Sequence, residues 1–321
     1  MNNKILDILK NTEGYISGEE IGEKLGVSRT AVWKAISKLK KEGYNIEAVN
    51  NRGYHIIDDV DIINEKEIQD AIHTEILGKK IIFKDTVTST NDVIKYIAEK
   101  GEKEGTVAVS EIQTAGRGRM GRKWESERGD GLWFSILLRP DIDPRKAPML
   151  TLLAGLCVCR AARRVTGLDV SIKWPNDVII NDKKICGILT EMSTEIQKIN
   201  YVVVGIGINV NTENFPEELS DVATSLKKEA GKDFSRKELL NEVLKDFEMY
   251  YNKYVKYGDF SIFTEEYEKM CNTIGRDINV IGRETYPAKA VGINESGELI
   301  VERENGTREI VFSGEVSVRR R

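Results

Sequence analysis

The sequence predicts an α/β (α+β) fold in three parts, and three observations carry that expectation. Short amphipathic helical patterns and a hairpin signal fill the first 58 residues. Strand and helix patterns then alternate from about Lys79 to Lys269, and short β runs separated by turns follow Gly275. Domains are therefore expected at 1–58, 67–270 and 272–321, a division suited to a chain of 321 residues.

The first part resolves into named elements. Asn2 to Lys10 carries Ile5, Leu6, Ile8 and Leu9, enough for one core helix. Ser17-Gly18-Glu19-Glu20 is a capping box, in which serine and glutamate satisfy each other's end amides, so a second helix opens there with Ile21 and Leu25 inward. Gly26 breaks the chain, and Ser28 caps a third helix running to about Glu42, with Val32, Ile36 and Leu39 on one face. Tyr44 to Ile57 alternates around Asn50-Asn51-Arg52-Gly53, a hairpin tip.

Three helices and a hairpin make a winged helix-turn-helix, whose third helix lies in the major groove of DNA. Its outer face is cationic: Arg29, Lys34, Lys38, Lys40 and Lys41 precede any acid, with Thr30, Trp33 and Ser37 between them. Ser28, Arg29, Thr30, Trp33, Lys34, Ser37 and Lys38, with Arg52 on the wing, are the expected DNA contacts. A solvated face and a protein-docking module are the alternatives. One module makes few contacts, so a dimer reading two half-sites is expected. The acid-rich stretch 58–67 reads as a connector.

Composition narrows the remainder. A net charge of −4 excludes a uniformly cationic surface, so any nucleic-acid contact is local. No apolar run reaches membrane-spanning length and no signal pattern opens the chain, so a cytoplasmic protein without membrane contact is expected. The four cysteines (Cys157, Cys159, Cys186, Cys271) form no C-x-x-C pair, and neither His55 nor His73 lies near one. That disfavours a zinc site and suits free buried thiols. No G-x-S-x-G elbow accompanies the histidines, which disfavours a serine hydrolase.

In the central part, Ile81–Phe83, Thr106–Val109, Leu132–Leu138, Val178–Ile180, Ile185–Thr190 and Tyr201–Ile208 read as strands. Asn91–Lys100, Arg145–Val165 and Arg236–Tyr254 read as helices, giving a mixed sheet flanked by helices. The most informative segment is Gly116-Arg-Gly-Arg-Met-Gly-Arg-Lys-Trp124. Its glycines allow backbone amides to wrap a ligand, and its guanidinium forks suit carboxylate and phosphate oxygens. It is expected to close over a small polyanion and to be disordered until that ligand arrives.

Five motifs then occur in one order: Ser89-Thr90-Asn91; Gln113-Thr114-Ala115-Gly116-Arg117-Gly118-Arg119; Lys173-Trp174-Pro175-Asn176-Asp177; Lys184-Ile185-Cys186-Gly187-Ile188-Leu189; and Val204-Gly205-Ile206-Gly207-Ile208-Asn209-Val210-Asn211. With the winged helix in front, the chain resembles the bifunctional bacterial biotin–protein ligases, which join a biotin–[acetyl-CoA-carboxylase] ligase to a biotin operon repressor.

The resemblance implies ATP, biotin and Mg²⁺, with no tightly bound metal, and a two-step reaction through biotinyl-5′-AMP. It also implies a biotin carboxyl carrier protein and operator DNA as partners, and a homodimer when the adenylate is bound. Lys184 is the implied bridge between the biotin carboxylate and the α-phosphate, with Arg117 and Arg119 catalytic beside it. Ser89, Thr90, Asn91 and Gln113 are implied for the biotin ring, Gly116, Gly118 and Trp124 for the closing segment, and Gly187 and Asn209 for the adenylate. Asp177 is the implied Mg²⁺ contact. Met120 departs from the arginine some members carry. Ser89 or Thr90 also reads as an ordinary helix cap, Lys183 as a solvated hairpin charge, and Gly205 and Gly207 as close-packed strand glycines.

The C-terminal runs Ile278–Ile281, Tyr286–Ile293, Leu299–Arg303 and Thr307–Phe312 read as a small SH3-like barrel, helping ATP or acceptor docking or simply capping the fold. Arg319 to Arg321 read as a frayed basic end. Two other functions compete: a ligase whose first module does not regulate transcription, and a biotin-sensing transcription factor without catalysis. A lipoate ligase would share the fold, but the Gly-Arg-Gly-Arg run favours biotin.

Overall fold

A computed structural model describes residues 1–41, 43–57, 61–195, 198–282, 284–312 and, for the backbone, 317–320. The expected helix end at Glu42, the start of the connector at 58–60 and Arg321 lie outside the described residues. The chain divides into two compact units, Met1–Ile62 and Ile63–Arg321.

The first unit comprises α1 (Asn2–Lys10), α2 (Gly18–Leu25), α3 (Arg29–Lys41), β1 (Ile46–Val49) and β2 (Gly53–Ile56). The capping box forms: Glu20 N–H donates to Ser17 Oγ at 3.1 Å, and Ser17 N–H to Glu20 Oε2 at 2.9 Å. Gly26 ends α2 in the left-handed conformation, at φ 66°. Ile5, Leu6, Leu9, Ile21, Val32 and Ile36 form the core, as the periodicity predicts. The antiparallel β1–β2 pair runs from Ile46↔Ile56 to Val49↔Gly53. Gly53 is required there: it sits at φ +104°, and a Cβ would stand 2.1 Å from the Ile16 carbonyl oxygen that its strand crosses.

The second unit begins with α4 (Glu65–Ala71), β3 (Ile81–Val87), α5 (Thr90–Glu99), β4 (Val107–Gln113) and β5 (Gly131–Leu138). It continues through α6 (Met149–Thr166), β6 (Ser171–Lys173), β7 (Asp177–Ile180), β8 (Lys183–Glu195) and β9 (Lys198–Asn209). After α7 (Leu226–Ala230), α8 (Arg236–Tyr257) and α9 (Ser261–Met270) come β10 (Asp277–Ile281), β11 (Thr285–Ile293), β12 (Leu299–Glu302), β13 (Arg308–Val311) and β14 (Ser317–Arg320). Strands β3 to β9 form one sheet in the order β3-β4-β5-β9-β8-β7-β6; β3–β4 is parallel and the other neighbours are antiparallel.

Strand alternation divides the core. Val107, Val109, Ile136 and Val204 face the large cluster built with α6 and α8, whereas Ala108, Leu137 and Val203 face Ile94 and Ala98 of α5. The last five strands form an antiparallel sheet in the order β13-β12-β11-β10-β14. That sheet shares a compact unit with the central one. Trp174 is one tie: its indole N–H donates to Gly297 O at 3.1 Å and its amide to Thr273 Oγ1 at 3.0 Å.

Several expectations need correction. The long helix starts at Met149 rather than Arg145, because Pro144 to Lys146 forms a separate 3₁₀ turn capped by Asp143. Residues 65–71, placed partly in the connector, are helical, with Asn64 Oδ1 accepting from Glu67 N–H at 2.9 Å. Helix α9 and the short strand β6 have no counterpart in the expected elements. Arg319 and Arg320 are not a frayed end, since their backbones pair with Asn279 and Ile278.

Candidate functional site

A cavity of about 460 Å³ opens in the second unit between the start of α5, the end of β4, strands β7 to β9 and two loops. Of the residues expected to bind biotin and adenylate, Ser89, Thr90, Asn91, Gln113, Arg117, Gly118, Arg119, Trp124, Lys184, Gly187 and Asn209 line it, as does Asp177. Gly116 is not a lining residue. Its carbonyl accepts from Trp124 N–H at 2.9 Å and closes the base of the Gly116–Trp124 loop.

The floor depends on glycine. Gly187 on β8 pairs with Gly207 on β9, and Gly205 lies two residues along. A Cβ on Gly207 would stand 2.6 Å from Trp124 Nε1, one on Gly187 2.8 Å from Trp124 Cζ3, and one on Gly205 2.1 Å from Asn91 Oδ1. Bare backbone thus lets Trp124 and Asn91 lie flat against the sheet. The Trp124 indole packs edge-on to Trp133, with centroids 6.1 Å apart, and its buried N–H has no hydrogen-bond partner.

Lys184 reaches the same floor. Its Nζ is 2.6 Å from Asp177 Oδ1 and 5.2 Å from the Trp124 ring centroid. A bulge between β7 and β8 aims it: Ile179 pairs with Lys184 and Val178 with Cys186, so Ile185 is the extra residue and is fully buried. The far loop fixes its backbone, with Lys184 N–H donating to Val222 O at 2.8 Å and Thr224 N–H to Lys184 O at 2.9 Å. Lys183, expected to be a solvated hairpin charge, makes an exposed hydrogen bond to Ser220 O at 3.1 Å.

The Gly116–Trp124 loop carries hydrogen bonds of its own. Gly118 N–H donates to Arg122 O at 2.7 Å, and Met120 at the tip is left-handed and exposed, at φ 57°. Side chains anchor it as well: Arg117 Nη1 donates to Asp92 Oδ2 at 3.0 Å, and Arg119 Nη1 to Asn176 Oδ1 at 2.9 Å. The Arg117 guanidinium beside Asp92 holds that carboxyl below its usual range. Burial pulls the Arg119 guanidinium down from its ordinary value, against the opposing field of Asp177.

A second group of polar residues lies at the start of α5. Ser89 caps the helix through Asn91 N–H at 3.3 Å, so the cap reading and the cavity reading hold together. Gln113 Oε1 accepts from Thr90 N–H at 2.9 Å, and its Nε2 donates to Ser126 Oγ at 3.0 Å. Asp92, Ser126, Ser135 and Glu191 complete this network and were not anticipated. Asp92 adjoins a motif, which is a usable signal, but nothing local marks the other three. Asn209 Nδ2 donates to Thr224 O at 3.1 Å, fixing its amide against the far loop.

Among the described residues, no group of three or more His, Cys, Asp or Glu side chains is arranged to hold a metal. Asp177 is engaged by Lys184. This donor set fits a Mg²⁺ ion carried chiefly by phosphate oxygens rather than a protein cage. All four cysteines are free and buried, as expected. No helix among the described residues is long and apolar enough to cross a membrane.

In the first unit, Ser28, Arg29, Thr30, Trp33, Lys34 and Lys38 are exposed along α3, and Ser37 is partly so. Trp33 is 58% exposed, unusual for so large an apolar side chain. Arg52 is exposed on the wing and stacks its guanidinium 4.6 Å above the Tyr15 ring.

A cation-rich loop and a lysine over a glycine-floored cavity, preceded by a helix-turn-helix unit, define an anion-activating ligase with a DNA-binding module. The biotin/lipoate A/B protein ligase family model matches residues 83–209, an HTH domain model residues 2–55, and a biotin protein ligase C-terminal domain model residues 273–319. The bifunctional ligase/repressor BirA of Bacillus subtilis is 42% identical over 308 residues, covering 95% of this chain and 94% of the relative. That of Escherichia coli is 30% identical, covering 98% and 96%. The biotin protein ligase of Aquifex aeolicus, solved in complex with biotin and ATP, superimposes with a TM-score of 0.67 at 38% identity, covering 76% of this chain and all of that one. The chain belongs to the family of bifunctional biotin–protein ligase/repressors.

Proposed function

We propose that this chain makes biotinyl-5′-AMP from biotin and ATP, transfers biotin to a lysine of a biotin carboxyl carrier protein, and represses biotin biosynthesis and transport genes. In the first step a biotin carboxylate oxygen attacks the α-phosphorus of ATP, and the bond to the bridging oxygen breaks to release pyrophosphate. In the second, a carrier lysine amine attacks the mixed anhydride carbonyl and expels AMP. Two anions meet in the first step, so fixed positive charge is the principal requirement.

Lys184, Arg117 and Arg119 supply that charge, and the observation carrying the reading is the Lys184 ammonium at the cavity floor beside Trp124. Ser89, Thr90, Asn91 and Gln113 orient the biotin ring. Gly116, Gly118 and Trp124 form the closing segment, while Gly187 and Asn209 bound the adenylate. Mg²⁺ neutralises phosphate charge when bound, with Asp177 the carboxylate this chain offers it.

The exposed cationic face of α3 and Arg52 bind operator DNA, and the adenylate acts as corepressor by favouring a homodimer that spans two half-sites. Four free buried thiols suit a reducing cytoplasm. The test is to mix the protein with biotin, ATP, Mg²⁺ and a carrier domain and to measure the carrier's mass. One biotinyl group per carrier is expected, and an unmodified carrier contradicts the reading.

A further inference from the structure

Lys173 ends β6, the edge strand of the central sheet, and lines the cavity half-buried. Most cations around that cavity already have partners. Lys184 is held by Asp177, Arg117 by Asp92, Arg119 by Asn176 and Lys123 by Glu125. Arg122 has no side-chain partner among the described residues, but it is exposed on the closing loop. Lys173 is half-buried and has neither a hydrogen bond nor a counter-charge among the described residues.

The sheet register fixes where that charge stands. Lys173 pairs with Asp177, Asp177 with Gly187, and Gly187 with Gly207. Residues directly opposite each other share a face, so all four lie on the face that Trp124 covers. Asn91 meets the same face at Gly205 of β9. Across that face the order is therefore the expected biotin-ring group at β9, Lys184 with Asp177 at β8 and β7, and Lys173 at β6. Lys173 stands one strand spacing, about 5 Å, beyond Asp177.

Phosphoryl transfer gives this order a meaning. A biotin carboxylate oxygen bonds to the α-phosphorus while the bond to the bridging oxygen breaks, and that bond's electron pair stays on the departing pyrophosphate. The attacking and leaving oxygens lie roughly in line. With biotin entering from β9 and the α-phosphate at Lys184, that line runs on towards β6. Asn209 lies two residues along β9 from Gly207, off the line, which leaves the adenosine a separate direction.

We propose that Lys173 binds the β- and γ-phosphates of ATP and stabilises pyrophosphate as it departs. An ammonium suits that task because the charge it meets is spread over several oxygens. No proton has to move. The proposal rests on the ligase reading.

The test uses the full chain carrying Lys173→Met, which keeps an apolar stem, or Lys173→Arg, which keeps the charge. The readout is biotin-dependent exchange of labelled pyrophosphate into ATP. In the methionine variant the KM for pyrophosphate should rise about 10–100-fold, the worth of one hydrogen bond to a charged group. The arginine variant should recover most of that loss. Affinity for biotinyl-5′-AMP, and its use to label the carrier, should stay within about twofold of the parent in both, since the adenylate carries no pyrophosphate. A parental KM for pyrophosphate in the methionine variant overturns the proposal. So does an equal loss of adenylate affinity, which marks a structural role. Absence of biotin-dependent exchange in the parent would instead remove the ligase reading.

Discussion

Lys184 Nζ and Asp177 Oδ1 lie 2.6 Å apart at the floor of the cavity, on neighbouring strands brought into reach by a single bulged residue. Asp177 gives the ammonium a fixed place before substrate arrives. Lysine suits this position because a compact ammonium can exchange one carboxylate oxygen for oxygens of two different groups, where a planar guanidinium favours a single partner. The pair also explains why Asp177 has a use in this chain apart from any metal.

The glycine floor predicts the effect of one methyl group. In Gly207→Ala, the added Cβ would stand 2.6 Å from Trp124 Nε1 and must lift the indole. Overpacking of this kind costs about 1–3 kcal/mol, so adenylate affinity should fall by roughly tenfold or more while the sheet remains folded. Ligand titration followed by tryptophan fluorescence checks it, and unchanged affinity contradicts the described contact.

The Arg117–Asp92 pair predicts a pH signature. Arg117 depresses the Asp92 pKa in the folded state, so the pair's contribution is present above the ordinary aspartate pKa of 3.8 and is lost as pH falls through the lower folded value. Denaturant unfolding of the parent and of Asp92→Asn should show a constant difference from roughly pH 8 to pH 5 that shrinks in more acid solution. A difference that grows on acidification contradicts the pairing.

Thiol chemistry follows from burial. Burial pushes the Cys159 thiol up to about 12 and raises Cys157, Cys186 and Cys271 as well. Thiolate is the reactive form, so native protein at about pH 8 should resist a disulfide reagent, and unfolded protein should release four equivalents. Rapid labelling of the native chain contradicts the core packing around α6.

On the first unit, Lys34→Ala should weaken DNA binding for all sequences and reduce the slope of log affinity against log salt by about one. Trp33→Ala should weaken binding without that change in slope. Neither should alter carrier labelling. Gel shifts across a salt series, on operator and on unrelated DNA, separate these outcomes.

Much of this architecture is legible from residues alone because local signals agree with the fold. The capping box at Ser17, the Gly26 break and the period of Val32, Ile36 and Leu39 each specify the same helices that tertiary packing then uses. Strands β5 and β9 show as near-continuous apolar runs because they are buried along almost their whole length. Helix α4 is less visible because it has seven residues and presents few apolar side chains, although Asn64 followed by Glu67 signals its start. Strand β8 extends to Glu195, past its apolar run, because pairing with β9 rather than composition carries its end. Side-chain partners are the least legible: Ser135 and Glu191 reach Asn91 from strands 44 and 100 residues away, and no local pattern encodes that meeting.

The central claim is that Lys184 neutralises the meeting of carboxylate and α-phosphate. Biotin-dependent exchange of labelled pyrophosphate into ATP measures that step alone, without carrier or DNA. The parent should exchange, and Lys184→Ala should fall by about 10²–10³-fold with biotin and ATP still bound, the loss typical of one charge-stabilising donor. Exchange at the parent rate in Lys184→Ala would contradict the account.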